Sequence, residues 1–363
     1  MDPLTHTLVG AAMARTRLAR GIPRAGLTLM VAANLADIDI LGFVAGNDAS
    51  TGFRRGWTHG PVGAVVLPAV WVLVLLTFHA RRRAAKSPPP NRLALLGLSY
   101  LGCLSHPVLD WLNTYGVRLL MPFDDRWFYG DAVFIVDPWL WLVLGGAVYY
   151  GSPRRGVPWG WLSLALGTSL IVLLAGSIVP PATQAAWFVG LACVVMLGRV
   201  LRTAWRPARV ATIALALAAV YIGAMTTVAT IGGRWVRAEL GRQGVREVSR
   251  LMVGPMPANP FRWDVVAQTP TAYRHGAMRW LPRRSLDLDP RPIERLRPSP
   301  VVDAALAAPQ IQGTLGWMRF PFVEIDETPD GYTVHVLDAR YVRSRRTGFG
   351  TVRVRLDRGL RVE

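Results

Sequence analysis

The sequence predicts a mainly α-helical fold: a polytopic membrane bundle of helices joined to a C-terminal soluble α+β domain that contains strands. Hydrophobic residues make up 52% of the 363 positions and charged residues only 18%. With a mean hydropathy of +0.29, this suits a membrane-embedded part plus a separate soluble one. Long apolar stretches are separated by short arginine clusters, the pattern of membrane topology signals. Beyond Ile231 the hydropathy collapses into short β-type runs broken by Pro, Gly and Asp, which read as strands and turns. The expected organisation is a helical membrane domain over 1–150, additional transmembrane helices over 151–231, and a strand-containing domain over 232–363.

Taken in order, residues 3–16 form a short helix with Asp2 as N-cap and Pro3 at its first position. Gly10 and Ala14 share the face of His6, and small residues at that spacing permit close helix contact. A second weak helix ends at Ala36-Asp37-Ile38-Asp39. Apolar stretches then cover 61–79, 93–104, 138–150, 159–179, 185–201 and 210–231. A lone span needs about 20 apolar residues, so the shorter stretches belong to a packed bundle, whereas 159–179 and 210–231 are the firmest spans. Ser87-Pro88-Pro89-Pro90 reads as a stiff connector. An amphipathic helix is expected around 234–251, followed by strands such as Val352-Arg353-Val354-Arg355-Leu356.

The formal net charge is +18, carried by arginine clusters beside the apolar runs rather than by one basic surface. This disfavours a nucleic-acid footprint, and no nucleic-acid partner is expected. The clusters are Arg15, Arg17, Arg20 and Arg24; Arg81, Arg82, Arg83 and Lys86; Arg154 and Arg155; and Arg199, Arg202, Arg206 and Arg209. If all are cytoplasmic, one alternating topology satisfies the positive-inside rule. That threading puts His6, Asp37, Asp39, His59, His106, Asp110 and Asp137 at the non-cytoplasmic helix ends, with the C-terminal domain on the same side. The N-terminus lacks the basic segment and cleavage site of a signal peptide, so insertion is expected to use the helices themselves. Cys103 and Cys193 both lie in apolar helices and suggest no disulfide framework.

Ionisable residues inside a membrane are expensive unless paired or functional. In Ser105-His106-Pro107-Val108-Leu109-Asp110 the i, i+4 spacing puts an imidazole and a carboxylate on one helical face, a two-ligand clamp for a divalent metal. Either Ser105 caps a new helix with Pro107 in its first turn, or one helix kinks there. Asp37 and Asp39 close an apolar helix at its C-terminal end, where the macrodipole disfavours carboxylates and a local cation would favour them. Asp37 is the ligand candidate; Asp39 is suited to a second metal or to orienting a ligand. In Arg54-Arg55-Gly56-Trp57-Thr58-His59-Gly60-Pro61, His59 is a ligand candidate and Arg54 and Arg55 are candidates for steadying a phosphate. Asp137 is a further ligand candidate, although Asp before Pro138 is also what an ordinary helix start shows. His79, His275 and His335 lack partners at ligand spacing and read as structural or solvated. His-Glu-x-x-His, Gly-x-Ser-x-Gly and phosphate-loop motifs are all absent. Mixed His and Asp ligands suit zinc first and manganese second.

Met1-Asp2-Pro3-Leu4-Thr5-His6-Thr7, Ala36-Asp37-Ile38-Asp39, Trp57-Thr58-His59-Gly60 and Ser105-His106-Pro107-x-x-Asp110 together resemble the bacterial inner-membrane family of metal-dependent hydrolases, some of them LexA-regulated. The resemblance covers roughly the first 150 residues. That family is distantly similar to zinc-dependent phospholipase C and single-strand nucleases, whose metal series also ends in His-x-x-x-Asp. The resemblance implies His6, Asp37, His59, His106 and Asp110 as metal ligands. The later histidines and the His-x-x-x-Glu pair of the phospholipases are missing, so one or two ions are expected rather than three. The implied function is membrane-bound, metal-dependent hydrolysis of a phosphoester in a lipid or lipid-linked substrate, with membrane lipids as partners. The competing expectation is a non-enzymatic membrane transport or envelope adaptor protein with a structural metal site.

Overall fold

The computed structural model describes residues 1–81, 91–152, 158–176, 179–341 and 349–363. Arg82, Arg83, Lys86, the Ser87-Pro88-Pro89-Pro90 connector, Arg154 and Arg155 lie outside the described residues. By its internal contacts the chain divides into two units. The first comprises Met1–Ile38, Arg55–Ala229 and Gly254–Pro260; the second comprises Asp39–Arg54, Thr230–Val253 and Phe261–Glu363.

The helices are α1 (Pro3–Met13), α2 (Ala25–Ala32), α3 (Asn47–Phe53), α4 (Pro61–Arg81), α5 (Arg92–Trp111), α6 (Pro138–Tyr150), α7 (Pro158–Leu174), α8 (Pro181–Ala204), α9 (Pro207–Arg242), α10 (Pro300–Leu306) and α11 (Gln312–Trp317). Asp2 caps α1, accepting from the Thr5 backbone N–H at 3.0 Å, with Pro3 opening the helix. Among the described residues, four helices are long and apolar enough to span a membrane: α4, α5, the Pro181–Val200 part of α8, and α9. A fifth span arises if α2 and the following 3-10 helix, Leu35–Ala45, are counted as one bent pair.

Three sequence expectations need correcting. The stretch expected over 159–179 is helical only to Leu174, and the 17 residues of α7 reach about 25 Å, short of a bilayer core of about 30 Å. Gly176 follows it, and Pro180-Pro181 begins the next helix, since proline cannot continue the preceding one. The 93–104 stretch is longer than its apolar core suggests, because α5 runs unbroken through Pro107 to Trp111. Ser105 does not cap a new helix; its hydroxyl donates back to the Gly102 carbonyl at 2.6 Å. The helix expected over 234–251 is the end of α9, which continues to Arg242 and stops at Gly244 (φ 80°), the left-handed position that commonly ends helices.

Close backbone approach assembles α1, α2 and α5. A Cβ on Gly10 of α1 would lie 2.6 Å from the Leu29 carbonyl oxygen, and one on Gly102 of α5 would lie 2.9 Å from Ala32 Cβ. Both glycines therefore grip α2, beside a core of Met13, Ala19, Ala25, Leu29 and Leu98. Gly10→Val is expected to push α1 off α2 and cost about 1–3 kcal/mol, as overpacking does. Thermal unfolding in detergent checks this against Gly97→Ala, where an added Cβ meets nothing within 4 Å; equal melting of the two variants would contradict the packing argument.

The second unit carries most of the antiparallel sheets, the Gly254–Pro260 stretch at the β1–β2 turn being counted with the first. One is ordered β1 (Arg250–Met256), β2 (Asn259–Gln268), β3 (Ala272–Arg279), β4 (Ser285–Leu288), with β5 (Ile293–Glu294) also pairing β3. The other is ordered β6 (Pro321–Thr328), β7 (Gly331–Asp338), β8 (Thr351–Asp357). Alternation in β8 buries Val354 and Leu356 and exposes Arg353 and Arg355. Met252, Val266, Tyr273, Phe320, Phe322, Leu337 and Ala339 form the core. The His275 Nε2–H donates to the Ala339 carbonyl at 2.7 Å, while His335 Nε2 pairs with Asp326 at 3.3 Å. The helical membrane part and the C-terminal α+β part are thus both present.

Candidate metal centre

Four segments of the first unit deliver ionisable side chains to one place. His106 and Asp110 stand one turn apart on α5, their Nε2 and Oδ2 atoms 3.5 Å apart, as the i, i+4 spacing requires. Asp37 enters from the 3-10 helix after α2, with Oδ1 3.8 Å from His106 Nε2. His59 comes from the turn ahead of α4, in which its N–H and that of Gly60 both donate to the Gly56 carbonyl at 2.9 Å. Its Nε2 lies 3.2 Å from Asp110 Oδ2. One ligand atom from each of Asp37, His59, His106 and Asp110 falls within 4.8 Å of all the others.

His6, from α1, stacks on His106 with ring centroids 3.7 Å apart and planes inclined by 13°, and its Nε2 is 3.4 Å from Asp110 Oδ1. Burial, assisted by His106, the Met1 amino group, Arg55 and His59, holds the His6 imidazole well below its ordinary pKa and therefore neutral. Neutral imidazole is the metal-binding form.

Orientation of the rings supports cation binding. The His106 Nδ1–H donates to the Ala33 carbonyl at 2.7 Å, which leaves Nε2 as the lone-pair nitrogen facing the carboxylates. Thr58 Oγ1 lies 2.9 Å from His59 Nδ1 and orients that ring. His106 Nε2 and both His6 nitrogens are buried without a well-aligned hydrogen bond. Buried polar atoms are rarely left so, and a cation among them would satisfy one lone-pair nitrogen of each ring. Carboxylates and imidazoles together match the donor preference of zinc, so the residues present fit such an ion.

Asp110 is the hub. The Met1 amino group sits on Oδ1, and the Arg55 guanidinium reaches both oxygens, Nη2 to Oδ1 at 3.0 Å and Nε to Oδ2 at 2.9 Å. Arg55 Nη1 donates to Asn113 Oδ1 and to the Gly116 carbonyl, each at 3.1 Å, and the guanidinium lies 4.4 Å from the Tyr115 ring centre. This buried arginine thus faces several protein acceptors. Its backbone is left-handed (φ 54°), uncommon for a side chain of this size and costly, as often found at functional sites.

Asp137 and Asp39 are not among the grouped residues. Asp137 caps α6: Oδ1 accepts from the Trp139 and Leu140 N–H groups at 3.0 and 3.2 Å, and Oδ2 accepts from the Tyr221 hydroxyl at 2.8 Å. The ordinary helix-start reading describes it, and it is not among the four grouped residues. Asp39 is buried but lies in the second unit, as does Arg54, which is the C-cap of α3. Sequence reasoning missed Ala33, Thr58 and Asn113. A backbone carbonyl leaves no trace in a sequence, but Thr58 beside His59 and Asn113 three residues after Asp110 could have been found by asking what holds each ligand.

Residues 1–179 match the model of a family described as YdjM inner membrane protein. The match is consistent with a bacterial inner-membrane family, and it includes every residue of the cluster. No curated protein and no solved structure matches the chain.

Proposed function

We propose that this chain is a metal-dependent hydrolase of the bacterial inner membrane, acting on a phosphoester in a lipid or lipid-linked substrate at the non-cytoplasmic side. The convergence of Asp37, His59, His106 and Asp110 to within 4.8 Å carries the reading. His6 is a fifth ligand, for the same ion or a second one, with zinc the first candidate and manganese the next. Such an ion, when bound, supplies a water acidic enough to act near neutral pH and polarises a phosphoryl oxygen.

The chain's own residues hold this arrangement. Ala33 and Thr58 set the imidazole orientations, and Arg55 fixes both oxygens of Asp110. Asp37 is the least enclosed member, 17% exposed where the side chains of His59, His106 and Asp110 are fully buried. A substrate oxygen would approach from its side. The arginine clusters that flank the apolar runs support the assigned sidedness through the positive-inside rule.

One observation favours a second reading. Four protein ligands, three of them fully enclosed, could complete a tetrahedral shell, as structural zinc sites do. The chain would then be a non-enzymatic transport or adaptor protein. Elemental mass spectrometry on detergent-purified protein, wild type beside His106→Ala, followed by a screen of phosphoester lipids, separates the readings. Stoichiometric zinc or manganese that is lost in the variant, with metal-dependent turnover, is expected. Metal without turnover selects the structural reading, and no metal in the wild type removes both.

A further inference from the structure

The segment directly after Asp37 is folded inside out. In the 3-10 helix Leu35–Ala45, Ala36 and the carboxylate-bearing Asp39 are buried, while Ile38, Ile40, Leu41, Phe43 and Val44 are exposed, Val44 to 92%. No ionisable side chain occurs between Asp39 and Asp48. In water such a contiguous apolar surface would be a liability. In hydrocarbon it is the natural arrangement, and α2 with this segment is apolar enough for a span but is bent by 46°, as in a broken span or a re-entrant loop. A 3-10 helix also satisfies much of its own backbone, which a segment in lipid requires.

We propose that residues 38–44 form a re-entrant tooth immersed in the bilayer, its exposed side chains covered by lipid acyl chains. The returning limb is pinned within the second unit. Gly42 packs on Ser50, where an added Cβ would lie 3.2 Å from Cα, and the Asp48 carboxylate accepts from the Gly313 and Thr314 N–H groups at 3.0 and 2.7 Å. The unit that carries the sheets is thereby a membrane-moored unit. A consequence rests on the hydrolase reading: Asp37 adjoins the immersed run without a linker, so a ligand of the centre is borne by a lipid-embedded element, which suits a substrate presented by the bilayer rather than by water.

The test places a nitroxide label on Val44→Cys, in full-length protein with Cys103→Ala and Cys193→Ala, reconstituted in phosphatidylcholine vesicles. Arg358→Cys, an exposed site of the second unit, is the aqueous reference. Molecular oxygen is expected to relax the label at position 44 more than a water-soluble nickel chelate does, with the reverse order at 358. Dominance of the nickel chelate at 44 would overturn the proposal, as would dipolar broadening between labels, which would mean that a second copy covers the surface. Neither readout depends on metal or turnover, so the tooth and the hydrolase reading fail separately. For the consequence, Leu41→Asp with Val44→Asp is expected to lose at least about tenfold in turnover of a vesicle-borne phosphoester, since carboxylates are costly in lipid, while a short-chain soluble phosphoester is spared. Equal loss on both substrates would overturn it.

Discussion

Asp110→Asn is expected to strip the centre of its metal and to destabilise the chain at the same time. Three imidazoles, the Arg55 guanidinium and the Met1 amino group all face this one carboxylate. Asparagine keeps the shape and removes the charge. Loss of a mere supporting group typically lowers metal affinity by about 10–100-fold, so loss of this ligand should exceed about 100-fold. Equilibrium dialysis against zinc, read by elemental mass spectrometry, measures it. The destabilisation has a separate origin, because breaking a buried ion pair from one side costs about 3–5 kcal/mol. An amide that still accepts from Arg55 should place the effect at the lower end. Retention of stoichiometric metal by the variant would show that Asp110 serves the arginine and not an ion.

Arg55→Met is expected to destabilise the metal-free protein by about 3–5 kcal/mol, since Asp110 would lose its principal buried partner. Added zinc should then raise the melting temperature of the variant by more than it raises that of the wild type, because an ion that binds the folded state would offset the missing cation. Arg55→Lys should not restore the wild-type value. One ammonium cannot serve the two oxygens of Asp110, Asn113 Oδ1 and the Gly116 carbonyl as the guanidinium fork does. A variant with unchanged melting but a raised KM for phosphoester would instead identify Arg55 as a phosphate clamp.

Both variants test an assignment that only part of the sequence carried. The His106 and Asp110 pair was legible because helical geometry relates residues four apart wherever they lie. Asp37 and His59 were legible as costly polar residues in apolar surroundings. Asp137 shared that signature, but an N-cap before proline satisfies a carboxylate locally, and in the structure the cap and the Tyr221 hydroxyl account for it. Arg55 was visible as a cation beside a histidine, yet the direction of its guanidinium depends on where Asn113 and Gly116 lie, more than 50 residues further along.

The sequence by itself determined the helical membrane part and the α+β part that follows it, and it offered His and Asp candidates whose chemistry suits a metal. These follow from hydropathy, periodicity and side-chain chemistry, which are local properties of the chain. The tertiary structure alone decided that Asp37, His59, His106 and Asp110 meet with His6 beside them, that Asp39 and Arg54 belong to another unit, and that Arg55 supports a carboxylate. Those outcomes depend on contacts such as that of Gly10 and Gly102 with α2. The reason is that burial and hydrogen bonding are relations between segments distant in sequence, and no single segment encodes its partner.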